Sequence, residues 1–158
     1  MAEKTARELA QQNIAENRKA FHDYHILQTW EAGMVLLGTE VKSIREGRVN
    51  LRDSFARVEK GEIWLHSVNI SSYSHRGYAD HEPLRQRKLL LHRDEIRKLI
   101  GQTTEKGMTL VPLRLYFKSG RVKVELGLAK GKKDYDKRET IKRREVERET
   151  RAAVKARQ

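Results

Sequence analysis

No cysteine occurs among the 158 residues, which excludes disulfides and thiolate catalysis and favours an intracellular setting. A run of about 18 apolar residues is also missing, so no helical membrane span is expected. The opening MAEKTARELAQQNIAEN alternates charge with alanine where a signal peptide needs an apolar centre. These absences together point to a soluble, cytoplasmic protein that spans no membrane. Large apolar side chains are scarcest at the end of the chain. The stretch AKGKKDYDKRETIKRREVERETRAAVKARQ (129–158) has only Ile141, Val146, Val154 and the aromatic Tyr135, which do not share one helical face.

Catalytic signatures are missing too. GLAKGKK has three residues between Gly127 and Gly131 where a phosphate-binding loop needs four, and Lys132 is followed by Lys133 where that loop needs a hydroxyl. No serine sits in a nucleophile-elbow pattern, and no carboxylate pair stands at a recognisable spacing. Six histidines (His22, His25, His66, His75, His81 and His92) raise the question of a metal. His22 and His25, three apart at the start of a strand, point to opposite faces, and nothing else gathers a ligand set. An enzyme is disfavoured, and no cofactor or metal is expected.

Positive charge is what the chain has in quantity. Thirty-four basic residues against 22 acidic ones give +12, and the last thirty residues carry half of it, with twelve basic and six acidic side chains. A small protein with this balance usually meets a polyanion, most often nucleic acid or an anionic membrane surface. The body before the tail is long enough to bury roughly two-thirds of its unfolded surface around one core. Three segments follow: a flexible one at 1–16, with a frayed helix through Ala6, Ala10 and Ile14; a folded domain at 17–130; and a basic tail at 131–158.

Within the body, YHILQTW (24–30) reads as a strand, EAG as a turn and MVLLG (34–38) as the returning strand. GTEVKSIREG (38–47) reads as a short helix capped by Thr39. DSFARVEKGEIWLHSVNI (53–70) holds two strands around Glu59-Lys60-Gly61. SSYSHRGYADHEPLRQRK (71–88) has no periodicity and reads as a loop, in which Tyr73, His75 and Tyr78 interleave with Arg76 and Arg85 and can stack on unpaired bases. LLLHRDEIRKLIG (89–101) turns helical near His92 or Asp94 and stops at Gly101. TLVPLRLYFKSGRVKVELGLAKG (109–131) alternates into and out of a Ser119-Gly120 turn. The sum is six short strands with two inserted helices, for which a small closed antiparallel barrel of the oligonucleotide-binding type is the economical architecture and a β-sandwich the alternative. Lys42 and Arg45, three apart on the first helix, suit adjacent phosphates. Arg85, Arg87 and Lys88 precede the second helix, and Arg121 and Lys123 lie on the outer face of the last strand. Each of these cations can equally be a solvated surface charge.

NRKAFHDYHI (17–26), EAGMVLLGTEVKSIREG (31–47), DSFARVEKGEIWL (53–65), RKLLLHRDEI (87–96) and LVPLRLYFKSGRVKVELGLAKGKKDYDKR (110–138) closely resemble the small protein B family, the SsrA-binding proteins of bacterial trans-translation. The resemblance implies an adaptor, not an enzyme. Its partners are the tRNA-like domain of transfer-messenger RNA and a stalled 70S ribosome with its 16S rRNA, and it acts as a monomer. It stands in for an anticodon stem and places its tail in the empty mRNA channel. Residue by residue it implies RNA contacts at Glu31, Lys42, Arg45, Leu90 and His92, beside the cations Arg87, Lys88 and Lys123 already noted. Tail contacts are implied at Gly131, Lys132, Lys133, Tyr135, Asp136, Lys137 and Arg138, with Tyr135 where family members often have a stacking histidine. Good helix formers and pairs such as Glu147 with Arg151 give the tail a latent helix. Lacking an apolar face, it is expected to be disordered when free and to fold against RNA. A ribosomal or ribosome-assembly protein with an rRNA-threading extension is the alternative reading.

Overall fold

The computed structural model describes residues 11–73, 80–104, 107–132 and 134–156. In chain order these form β1 (Gln11–Glu16), α1 (Arg18–Asp23), β2 (Tyr24–Met34), α2 (Gly38–Arg45), β3 (Val49–Asn50), β4 (Phe55–Glu59) and β5 (Glu62–His66). Next come β6 (Asn69–Ile70), β7 (Arg87–Leu90), α3 (Arg93–Thr103), β8 (Met108–Lys118), β9 (Arg121–Gly131) and α4 (Asp134–Ala156).

Six strands close a ring in the order β8, β4, β5, β7, β2, β9 and back to β8, with every pairing antiparallel. The alternating residues of β8 and β9 pair as one long hairpin, and the two-residue turns Lys60-Gly61 and Ser119-Gly120 have positive φ at both positions, as a type I′ hairpin turn requires. Inside, Trp30, Ala32, Ile63, Leu65, Leu89, Leu110, Leu115, Val124 and Leu126 pack into one core. Leu99 of α3 and Ile44 of α2 enter it fully buried.

The ring has the expected number of strands, but not the expected six. Tyr24–Met34 is one continuous strand that runs straight through Glu31-Ala32-Gly33, so the turn and returning strand read there do not exist. The missing sixth strand is β7, at the end of the segment read as a loop, where Arg87 to Leu89 pair with β5 and Leu89 and Leu90 with β2. β1 is a further strand in place of a frayed helix. β4 pairs with β8 only at Leu110, which leaves the edge of β8 from Arg114 to Lys118 open, and β1 covers it.

Helix ends differ in detail. α2 begins after Leu37, whose N–H donates to Glu40 Oε1 at 2.8 Å, while the Thr39 hydroxyl contacts His81 Nδ1 at 2.9 Å. Gly101 lies inside α3, which continues to Thr103.

Bulges interrupt β2 between Ile26 and Gln28 and β8 between Pro112 and Arg114. Each one-residue insertion sends the strand's next residues to the opposite face. Ile26, Val111 and Leu113 therefore pack outside the barrel, with Ala20, Phe21 and Ala129, beneath α1. Between the two bulges lies Gly127 of β9, where an added Cβ would stand 2.8 Å from Leu113 Cδ1 and 3.4 Å from Ile26 Cγ2.

α4 leaves this second cluster. Lys132 N–H donates to the Asp23 carbonyl at 2.9 Å and fixes the tail's root to the end of α1. From there α4 runs for 23 residues, about 35 Å at 1.5 Å per residue, with Ile141, Val146 and Val154 exposed. The tail is helical in this structure, in keeping with the latent helix that its sequence suggests. Its i, i+4 charge spacing and helix-forming composition account for that helicity. No helix among the described residues is long and apolar enough to cross a membrane.

Candidate nucleic-acid interface

Strand register brings several of the expected RNA-contact residues together. Leu90 of β7 pairs with Gly33 of β2, Gly33 with Lys123 of β9, and Lys123 with Tyr116 of β8, a single cross-strand row over four strands. Side chains two apart on a strand share a face, so Glu31 lies beside this row, on the outside of the barrel. Gly33 keeps the row low. A Cβ there would meet Leu90 Cβ at 3.4 Å and the Lys123 ammonium at 3.7 Å, so the cation lies over the glycine against Leu90.

Glu31 is held firmly. The Tyr116 hydroxyl donates to its Oε2 at 2.7 Å, and the Lys118 ammonium reaches Oε2 at 3.1 Å and Oε1 at 3.3 Å. The Tyr116 bond, with the Lys118 and Lys123 charges, outweighs the cost of partial burial and keeps the Glu31 carboxyl below its ordinary range. Burial and the adjacent Glu31 push the Tyr116 phenol well up. At neutral pH the pair is a phenol donating to a carboxylate.

Lys42 and Arg45 are both exposed on α2, but each leans on its own aromatic ring. Lys42 Nζ stands 5.3 Å from the Tyr73 ring centroid and the Arg45 guanidinium 5.7 Å from that of Phe117, distances at which the ring face attracts the cation. An open groove of about 540 Å³ lies beside Arg45, lined by Asn13, Ile14, Gly47, Phe117 and Gly120. A second, about 280 Å³, is lined by Gly33, Val41, Leu90, Gly120, Arg121 and Lys123. They meet at Gly120, which makes α2 and the cross-strand row one continuous surface. His92 is exposed two residues past Leu90, at the start of α3. Lys88, outward on β7 like Leu90, is paired with Glu62 at 2.8 Å.

Arg87 is not on this surface. Its side chain is fully buried, with Nε donating to Glu40 Oε2 at 2.6 Å, Nη1 to the Val68 carbonyl at 2.6 Å and Nη2 to the Pro83 carbonyl at 3.0 Å. Arg85 bonds the other Glu40 oxygen. A guanidinium closed in this way has no reach to a phosphate; it holds the segment before β7 onto Glu40 of α2 and onto Val68, just before β6. Alternation along β7 is the physical reason: Arg87 and Leu89 face inward, Lys88 and Leu90 outward.

Several histidines are accounted for by local contacts. His81 is buried between the Thr39 hydroxyl and the Ile70 carbonyl, and His66 stacks on Phe55 with ring centroids 5.1 Å apart. His22 Nδ1 bonds Asp23 at 2.9 Å. Among the described residues no three His, Asp or Glu side chains gather as a metal site would need. His75, Arg76 and Tyr78 lie outside the described residues, as does Lys133.

At the tail's root, Gly131 pairs with Tyr24, and the Lys132 ammonium also reaches the Phe21 carbonyl at 3.4 Å. Tyr135, Asp136 and Lys137 stand in the first turns of α4, their side chains outside the description, and Arg138 is exposed.

Sequence reasoning passed over Tyr116, Lys118 and Phe117. The available signal was an aromatic, Tyr116, placed by alternation on the side of β8 opposite Leu115; the bulge at Leu113 obscured which side was the core.

Residues 14–156 match the family model described as SmpB protein. The chain is 65% identical over 145 residues to an SsrA-binding protein of Geobacillus kaustophilus, covering 92% of this chain and 94% of that one. It is 63% identical over 144 residues to an SsrA-binding protein of Carboxydothermus hydrogenoformans, covering 91% and 97%. Among solved structures, a chain from "tmRNA-SmpB: a journey to the center of the bacterial ribosome" is similar at TM-score 0.65 and 51% identity, over 80% of this chain and 93% of that one.

Proposed function

This chain belongs to the SmpB protein family, and from that premise we infer that it binds transfer-messenger RNA and works with it in trans-translation on the ribosome. It is an RNA-binding adaptor with no reaction of its own, acting in the cytoplasm where ribosomes stall. The observation that carries this reading is the outward row Leu90, Gly33, Lys123 and Tyr116 with Glu31 beside it and Lys42 and Arg45 at its rim: an open surface of cations, one apolar side chain and one fixed acceptor. Structured RNA is bound by such a surface through phosphate contacts that supply affinity and a few contacts that select.

Two surfaces divide the work. Glu31, Lys42, Arg45, Leu90, His92 and Lys123, with Lys88 at the edge, take the tRNA-like domain. Gly131, Lys132, Lys133, Tyr135, Asp136, Lys137 and Arg138 face the decoding centre, with α4 in the empty mRNA channel. The run of β9 supports this division. Lys123 and Gly131 are eight residues apart on one strand, about 26 Å at 3.3 Å per residue, so the RNA face and the tail's root lie at opposite ends of the barrel. An adaptor with that spacing can hold RNA at one end and extend a helix from the other, standing where an anticodon stem would stand.

Deleting residues 134–158 tests this. Affinity for transfer-messenger RNA should stay near that of the full chain while tagging on stalled ribosomes is lost; equal loss of both would refute the division.

A further inference from the structure

We propose that Tyr116 sets the selectivity of the RNA face, by holding the Glu31 carboxylate as a fixed acceptor for the N–H edge of an unpaired base. The inference rests on reading this chain as a transfer-messenger RNA binder.

The argument begins with charge. Glu31 stands among Lys118, Lys123 and the cations of α2, on a surface whose affinity for RNA depends on positive potential. A carboxylate there opposes every phosphate, so it weakens attraction to RNA in general. An ionised carboxylate only accepts hydrogen bonds, and a phosphodiester has none to donate. Ribose 2′-hydroxyls and base amino and imino groups do, and of these only the base groups differ with sequence and become accessible where bases are unpaired. Glu31 therefore adds nothing to charge attraction and can add to recognition.

Recognition requires the acceptor to be fixed. A carboxylate offers about four lone-pair directions. Tyr116 and Lys118 occupy two on Oε2, and Lys118 makes a longer contact to Oε1. Oε1 keeps capacity to spare, and the Glu31 side chain remains 39% exposed. The two holders differ in stiffness. Lys118 is exposed at the end of β8, whereas Tyr116 is 5% exposed and its hydroxyl reaches Glu31 across β9 from within a paired strand. Tyr116 is the rigid member, a positioning residue that touches Glu31 and not the RNA. The bond could instead serve only to tie β2 to β8, so the test must separate selectivity from stability.

Tyr116→Phe in the full chain removes only the hydroxyl. The probes are a transcript of the tRNA-like domain of transfer-messenger RNA and an unrelated tRNA transcript, each titrated at several salt concentrations. The variant should bind the first about tenfold more weakly, within the range that a good base contact supplies. Binding of the unrelated tRNA and both salt slopes should be unchanged, because no charge has been altered. In a Glu31→Ala background the Tyr116 substitution should cost nothing more, since the acceptor it positions is gone. Equal weakening for both RNAs, preserved discrimination, or a full additional loss in the Glu31→Ala background would overturn the proposal. A wild-type chain that fails to prefer the tRNA-like domain would instead overturn the proposed function.

Discussion

Arg87 Nε donates to Glu40 Oε2 over 2.6 Å, and neither side chain reaches solvent. Burial raises the Glu40 carboxyl, but bonds from Arg85, the Leu37 N–H and Arg87 together leave it below the ordinary carboxylate value; burial also lowers Arg87. The pair is enclosed by carbonyls that take the remaining guanidinium donors, so removing one partner strands the other charge. Glu40→Ala is expected to cost about 3–5 kcal/mol in urea unfolding. Arg87→Lys should cost nearly as much, because an ammonium cannot serve Glu40, Val68 and Pro83 with one planar fork.

Acid should act through the same carboxylate. Because its folded value is depressed, the unfolded chain takes up the proton first as pH falls. The stability this carboxylate contributes is complete above 4.5, the ordinary value, and is lost as pH drops through the lower folded value. Unfolding free energy measured between pH 6 and pH 3 should fall more steeply in the native chain than in Glu40→Gln, which has nothing to protonate there. Equal slopes would assign the acid sensitivity elsewhere.

Gly127 has no room for a methyl group. Leu113 and Ile26, turned outward by the two bulges, close over it, and Leu113 is itself buried. Gly127→Ala should cost about 1–3 kcal/mol in thermal or urea unfolding, the usual range for overpacking. Lys123 stands on the same strand four residues away, so transfer-messenger RNA affinity of the folded variant should be little changed.

How much of this was legible beforehand depended on whether periodicity was unbroken. The Lys60-Gly61 hairpin and the long β8–β9 hairpin follow from alternation and glycine turns. From sequence β2 reads as two strands because Glu31-Ala32-Gly33 looks like a turn, yet its backbone bonds go to β7 and β9 and Ala32 is buried. β7 was hidden by charge: Arg87 and Lys88 read as a basic approach to a helix, and only the buried partner Glu40, 47 residues away, explains why one of them points inward. β1 has a polar sequence and is held mainly by backbone pairing to an open edge, which no single-strand pattern announces. For the interface, Lys42 and Arg45 follow from helix spacing and Glu31, Leu90 and His92 from resemblance; the row that joins Leu90 to Lys123 and Tyr116 is a property of register. Tyr116 is not legible from alternation because a bulge reverses the face.

Cations on the proposed RNA face should be separable from Arg87 by salt. Lys42→Gln, Arg45→Gln and Lys123→Gln should each flatten the dependence of log affinity on log salt by about 0.7–0.9 if each meets one phosphate. Their melting temperatures should barely move, since all three side chains are solvent-accessible. Arg87→Leu should do the reverse, lowering stability without changing the slope of the folded fraction. A lysine whose removal leaves the slope intact does not contact phosphate.

The tail helix offers the sharpest separation of structure from charge. α4 is exposed along most of its length, with Val146 53% exposed, so its helicity rests on local terms and not on packing. Pairs such as Glu147 with Arg151 supply only about 0.2–0.5 kcal/mol each. A proline at mid-helix costs about 3 kcal/mol by removing one backbone bond and crowding the preceding turn, more than several such pairs combined. Val146→Pro should therefore break α4 near its centre while leaving every charge and the barrel in place, visible as reduced far-UV helicity with the urea midpoint unchanged. If α4 works as a rigid probe in the mRNA channel, this variant should bind transfer-messenger RNA normally and tag stalled chains poorly. Val146→Ala, which keeps the helix, should tag normally. Full tagging by the proline variant would mean that the tail acts through its charges alone and that its helix is dispensable.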